Sequence, residues 1–288
     1  LRDADAAMYR AKSRGRDCVE AFQVGSRESG MQALRTVGEL RRGVERDEIV
    51  PYFQPIVELQ SGRIIGFEVV ARWLHPDRGL LPPGEFLPLA EESGLLVSLG
   101  ASMMRNSLLQ MAQWRAAGHS FAKGSVAVNV GSRQLVDSSF LPTVVEILAE
   151  TGVDPDSVWF EITESALLAD ARAATSTLRE IRELGIHLSV DDFGTGYSSL
   201  TYLKRFPVEA IKIDRSFVSG LGIEDEDSTI VEAVIQLGKA LNLTVVAEGV
   251  ESPLQLQRLR DLNCDRGQGY LFGRPRPANL IETELASN

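Results

Sequence analysis

Only two cysteines, Cys18 and Cys264, occur in 288 residues, and they form no CxxC pair. That excludes a disulfide framework and a thiolate zinc centre, and makes a reducing cytoplasm the expected setting. Histidine is as scarce: His75, His119 and His187 are scattered, so no histidine metal motif exists. No apolar run approaches the ~18 residues of a membrane span. Nor does a signal peptide open the chain at Leu1, which reads as the start of a piece of something longer. Basic residues are the minority, 30 Lys and Arg against 40 Asp and Glu, for a net charge of -10. This acidic balance argues against binding DNA or RNA polymers or an anionic membrane surface. It leaves open a small anionic substrate held through metal ions.

What the chain has is apolar mass, 44% of its residues, enough for a full core. One domain of roughly 250 residues suits an α/β barrel. "LRDADAAMYRAKSRGRDCVEAF" reads as a helix and a short strand, too short to fold alone, and "QVGSRESG" as a linker. An amphipathic helix is expected from Met31 to about Asp47. Beyond it, strand-like runs recur: "IVPYFQPIVEL", "RIIGFEVVARW", "SVAVNV", "VWFEIT", "HLSVDDF", "AIKID", "TVVAEGV" and "GQGYLFG". Helical stretches separate most of them, among them 98–117, 141–151, 171–185 and 228–241. Only "QSGR" joins the first two, a hairpin-like turn. The expectation is a TIM-like (β/α)8 barrel with one antiparallel strand. A doubly wound open sheet is the alternative, but no GxGxxG follows the first strand.

Polar residues interrupt strands that should be apolar. Glu68 sits in "GFEVVARW", Asn129 ends "SVAVNV", and Glu161 sits in "VWFEIT". Asp191 and Asp192 end "LSVDD", Lys212 sits in "AIKID", Glu248 ends "TVVAEG" with Glu251 three residues on, and Gln268 opens the last run. Singly, each has a dull explanation, such as a solvated strand end or a turn former. As a set they place an acid, an amide or a lysine near the C-terminal end of strand after strand, and in a barrel those ends converge on one mouth. Carboxylates gathered there without histidine or cysteine repel unless hard divalent cations neutralise them. Asp191 and Asp192 side by side suit two ions, one carboxylate bridging, a standard device for phosphoester hydrolysis.

At these residues the chain resembles the EAL domain, the phosphodiesterase family acting on cyclic di-GMP. The matching stretches include "YFQPIV", "GFEVVARWLHPDRG", "PPGEFLPLAEESGLL", "FEITESAL", "VDDFGTGYSSLTYLKRFPVEAIKIDRSFV", "VVAEGVES" and "CDRGQGYLFGRPRP", in order from about Leu34 to Ala278. The N-terminal "ADAAMYRAKSRGRD" resembles the end of a GGDEF domain, the diguanylate cyclase family. The implied organisation is residues 1–23 as the C-terminal remnant of a GGDEF domain, 24–33 as linker and 34–288 as the EAL domain. The rest of the GGDEF domain would lie upstream, as would any segment attaching a cytoplasmic protein to a membrane.

The resemblance also implies roles. Glu68, Asn129, Glu161 and Asp191 would hold one ion, and Asp191, Asp192 and Glu248 a second. The ions would be magnesium or manganese, with calcium inhibitory. Lys212 would hold the attacking water, Glu251 and Gln268 would support the water and ligand network, and Gln54, Arg72 and Gln268 would contact the dinucleotide. Glu164 would brace the loop "DFGTGYSS", which the family couples to a homodimer interface. The implied reaction is hydrolysis of cyclic di-GMP to linear pGpG by a metal-activated water; the alternative is a catalytically inactive cyclic di-GMP receptor. Two departures stand out. The name-giving Glu-Ala-Leu is Glu68-Val69-Val70 here, and the missing methylene at Val70 costs on the order of 1 kcal/mol of apolar contact. Gly273 stands where the family often has Ser.

Overall fold

A computed structural model describes residues 26–169, 171–195, 203, 205–223 and 225–285. The GGDEF-like segment 1–23 lies outside the described residues, as do residues 196–199 of the stretch "DFGTGYSS". Among the described residues there are nine strands: β1 (Ile49–Glu58), β2 (Ile64–His75), β3 (Gly79–Leu81), β4 (Ser125–Asn129), β5 (Val158–Thr163), β6 (His187–Phe193), β7 (Ala210–Ile213), β8 (Thr244–Ala247) and β9 (Arg266–Gln268). Eight of them close in the order β1-β9-β8-β7-β6-β5-β4-β2, with β1 back on β2; β3 hangs outside, on β2. The barrel is therefore closed, and the open-sheet alternative falls. The antiparallel strand is β1, which runs against both its neighbours, β2 and β9. Its turn to β2 follows from Gly62 at φ +72°, whose N–H donates to the Glu58 carbonyl at 2.8 Å.

Helices pack around the outside as expected. The helix Leu96–Ala116 turns Leu99, Met103, Met104, Leu108 and Met111 inward, the three-to-four spacing of an amphipathic helix. Gly152 in the left-handed conformation stops Phe140–Thr151. Pro253–Asp261 starts at a capping box, in which the Ser252 hydroxyl accepts from Gln255 N–H at 3.2 Å while Gln255 Oε1 accepts from Ser252 N–H at 2.9 Å. Among the described residues no helix is long and apolar enough to cross a membrane.

One expected strand is shorter than its sequence suggests. "GQGYLFG" is strand only to Gln268. At Gly269 the chain crosses the backbone of Val250 so closely that a Cβ would lie 2.2 Å from the Val250 carbonyl oxygen. Leu271 N–H then bonds that carbonyl, and a turn replaces the ladder.

Strand register sorts the inward-facing positions into layers. Gln54 pairs with Glu68, Asn129 with Glu161, Thr163 with Asp191 and Lys212 with Val246. Two residues from Gln54, Asn129 and Glu248, toward the barrel interior, lie Ile56, Ala127 and Val246, a small apolar cluster with Trp159 and Ile65 against it; the stagger of neighbouring strands sets Val246 level with Lys212. This apolar layer separates the polar mouth at the C-terminal strand ends from the opposite end of the barrel.

Candidate active site

The mouth is organised around Lys212. Its side chain is 1% exposed, and Nζ lies 2.6 Å from Glu248, 2.8 Å from Glu161, 3.1 Å from Glu68 and 3.4 Å from Asp191. Strands β2, β5, β6 and β7 and the residue that follows β8 each deliver one of these five groups, so the barrel brings them together. Gln268 from β9 donates through Nε2 to Glu68 at 2.6 Å and to Gln54 at 3.0 Å; Gln54 in turn donates to the Gly273 carbonyl. Asn129 Nδ2 reaches Glu68 Oε1 at 3.0 Å.

Charge in this cluster is unbalanced, four carboxylates to one ammonium. Burial disfavours the lysine's charge, but Glu161, Glu248, Glu68 and Asp191 outweigh it and hold Lys212 well above the ordinary lysine value. Burial pushes Glu161 well above the usual carboxylate range, with Glu68 and Asp191 adding repulsion. Burial likewise raises Glu248 to about 8, against the pull of Lys212. Glu68 is the exception: burial opposes its charge too, but Lys212, Gln268 and Asn129 together keep it below the ordinary value. The upward shifts of Glu161 and Glu248 show that the surplus negative charge favours neutralisation, a role that cations fill.

Asp191 and Asp192 present a geometric problem, since adjacent strand residues point to opposite faces. The backbone resolves it. Asp192 takes φ +53°, and the β6–β7 register shifts between Val190 and Phe193. That left-handed turn brings both acids to the same side, where Asp191, Asp192 and Glu248 each offer an oxygen within 4.8 Å of the others. Left-handed backbone at a non-glycine residue stores strain, and such residues cluster at functional sites. Burial, with repulsion from Asp191 and Asp214, raises the Asp192 pKa.

An all-oxygen, excess-acid donor set of this kind fits hard divalent cations such as magnesium or manganese. Asp191, Asp192 and Glu248 form the cluster that suits one; Glu68, Glu161 and Asn129 adjoin it across Lys212.

The remaining expected residues fall less centrally. Arg72 is half-buried, donates to the Ala71 carbonyl and lies over the Tyr52 ring at 5.6 Å. The Glu164 carboxylate accepts from Gly194 N–H at 3.5 Å. Glu251 stays apart: it is exposed, and its backbone N–H caps onto Gln255. Asp214 was not anticipated, although it shares a strand face with Lys212; it stands beside Asp192 and caps the helix Arg215–Ser219. Arg274 lies over the Tyr270 ring at 4.0 Å, just past the point where the run "GQGYLFG" leaves the strand.

A family model described as "EAL domain" matches residues 37–275. The chain belongs to the EAL-domain family. Among its relatives is the bifunctional diguanylate cyclase/cyclic di-GMP phosphodiesterase MucR of Pseudomonas aeruginosa, 40% identical over 99% of this chain and 41% of that protein. The cyclic di-GMP phosphodiesterase NbdA of the same organism is 38% identical over 99% of this chain and 36% of its own length. This EAL-domain chain thus spans less than half the length of these curated relatives. The solved structure of the MucR phosphodiesterase in complex with c-di-GMP superposes with a TM-score of 0.81 at 41% identity, covering 87% of this chain and 99% of that one. The EAL enzyme Bd1971, in its cAMP- and cyclic-di-GMP-bound form, gives 0.84 at 28% identity over 91% and 71%.

Proposed function

We propose that this EAL domain hydrolyses cyclic di-GMP to linear pGpG in a reaction that needs divalent metal. Water adds to one phosphorus, the P–O3′ bond breaks, and the ring opens to a 5′-phosphate and a free 3′-hydroxyl. The observation that carries the reading is a fully buried ammonium, Lys212, held among four carboxylates at the barrel mouth. Asp191, Asp192 and Glu248 would hold one ion, and Glu68, Asn129 and Glu161 would share Asp191 with a second. Bound ions supply Lewis-acid neutralisation of the phosphoryl oxygens and a lowered pKa for water.

The chain's own groups do the rest. Lys212, kept charged, holds the attacking oxygen in line and offsets negative charge that grows only in the transition state. Gln268 fixes Glu68 and Gln54 in register. Arg72, relieved of any carboxylate partner among the described residues, is free to bind a phosphate bidentately. Glu164 steadies the backbone at Gly194, next to the two aspartates. Magnesium or manganese is the expected cofactor, and calcium the expected inhibitor. In the full-length protein this domain would follow a GGDEF domain, pair as a homodimer and work in the cytoplasm.

Assaying cyclic di-GMP turnover with magnesium, manganese, calcium and EDTA tests the reading. Linear product with the first two ions, and none with EDTA, is expected. Tight binding of cyclic di-GMP without any turnover would establish the receptor alternative instead.

A further inference from the structure

A second concavity, about 790 Å³, opens at the opposite end of the barrel from the acid cluster. Its lining comes from the starts of the parallel strands, Ser125, Trp159, His187, Thr244 and Arg266 among them. Trp159 and Ile65 belong to the apolar layer that closes the barrel beneath the mouth, so they form the pocket's inner wall.

The charges in this pocket are not matched as a purely structural cluster would be. Its acids all have donors. Glu58 is paired with Arg63 at 3.1 Å, Asp156 lies 3.0 Å from His187 Nε2, and Asp265 accepts from Val245 N–H at 2.9 Å. Its two fixed cations do not. Arg266 is partly buried, with its guanidinium 5.4 Å over the Trp159 ring, yet among the described residues it makes no side-chain hydrogen bond or ion pair. Glu58 and Asp265 favour its charge only from beyond ion-pair distance, while burial works against it. Lys123, exposed at the rim, is equally without a partner. Arginine is seldom buried unless paired, because its five donors must be satisfied. Arg266 and Lys123 thus present two cations without a protein partner, among the described residues, to one concavity.

We propose that this pocket binds a small anion, of the phosphate or carboxylate class, between Arg266 and Lys123. The guanidinium presents a planar fork suited to two oxygens of either group, and the ammonium adds a point charge at the rim. Trp159 does not stack on the ligand, since it already packs against His187 at 4.7 Å and carries Arg266. Its role is to hold the guanidinium in place. Cys264 also lines the pocket, but burial pushes its thiol up to about 12, so the pocket presents no activated nucleophile and its ligand would act as an effector.

Trp159 also supplies the assay. The chain has three tryptophans, and Trp73 and Trp114 are each 1% exposed, so a ligand in the pocket perturbs chiefly Trp159 emission. Inorganic phosphate, GMP and succinate should be titrated separately into the whole chain. The expected result is a saturable emission change with at least one of them. W159F should abolish the change, and R266A and K123A should each weaken the affinity roughly tenfold, the loss of about one charge-assisted hydrogen bond. Lys123 is exposed, so K123A tests the site even if R266A folds poorly. The arms that saturate tell phosphate from carboxylate. A linear, unsaturated response to all three probes would overturn the proposal, as would an equal response in K123A and the unmodified chain.

Discussion

Replacing Lys212 by alanine removes the only cation from a cluster whose four carboxylates lie 2.6 to 3.4 Å from it. Breaking a buried ion pair from one side costs about 3–5 kcal/mol, because the partner charge stays buried and uncompensated. Glu161 and Glu248 offset part of this by taking up protons, each pH unit of displacement being worth about 1.4 kcal/mol. In the presence of EDTA the variant should therefore melt below the parent protein, by about 6–20 °C for the full cost and by less at acidic pH. Divalent ions should restore more of the melting temperature to the variant than they add to the parent, since they replace the missing charge. Activity should not return with them. Loss of one preorganised donor aimed at the developing charge lowers kcat by roughly 100-fold or more. Affinity for cyclic di-GMP, measured by calorimetry with calcium, should change far less. Lys212→Met, close in volume and uncharged, separates charge from cavity and should behave the same way. A variant with unchanged kcat and unchanged metal-free stability would refute the reasoning. Binding lost in proportion to turnover would make Lys212 a ligand anchor instead.

Four further outcomes follow from the same geometry. Glu248, raised from 4.5 to about 8, binds a proton in the folded state that the unfolded chain has lost, so its stabilisation is complete below about 4.5 and gone above about 8. Metal-free melting temperature should fall across that window, while magnesium affinity should rise, which melts in EDTA and in magnesium would show side by side. Glu68→Ala, Asn129→Ala and Asp191→Ala should each abolish hydrolysis and leave far-ultraviolet circular dichroism unchanged; full activity at saturating magnesium would remove that residue from the ligand set. Glu164→Ala, losing its bond to Gly194, should lower kcat more than it lowers melting temperature, and the reverse pattern would mark a purely structural residue. Light scattering should find a dimer whose interface includes or adjoins 197–217, with substitutions in 205–217 shifting it toward monomer; a strict monomer at high concentration would count against it.

Much of this protein was legible in its sequence, for identifiable reasons. Alternation of apolar strands with amphipathic helices needs no tertiary knowledge, because period 2 and period 3.6 are local properties. The hairpin of β1 and β2 was legible in "QSGR", and the polar set from Glu68 to Gln268 stood out because buried strands should not carry it. What misled was equally local. "GQGYLFG" has strand composition throughout, and only the close passage of Val250 over Gly269 ends the strand at Gln268 and leaves Tyr270 beside Arg274.

The sequence by itself thus determined the elements, their faces and the chemistry available at the strand ends. It could not determine where those groups meet. Lys212 touches Glu248, 36 positions downstream, from the neighbouring strand, but it touches Glu68, 144 upstream, across the barrel that β1 closes between β2 and β9. Neither could it place Asp192 beside Asp191, since strand alternation sends neighbours apart. A left-handed backbone at one aspartate and a slipped register against β7 decide that point, and both are properties of packed strands. The perturbed carboxylates have the same origin, because their shifts come from burial and from neighbours that no local stretch of chain contains.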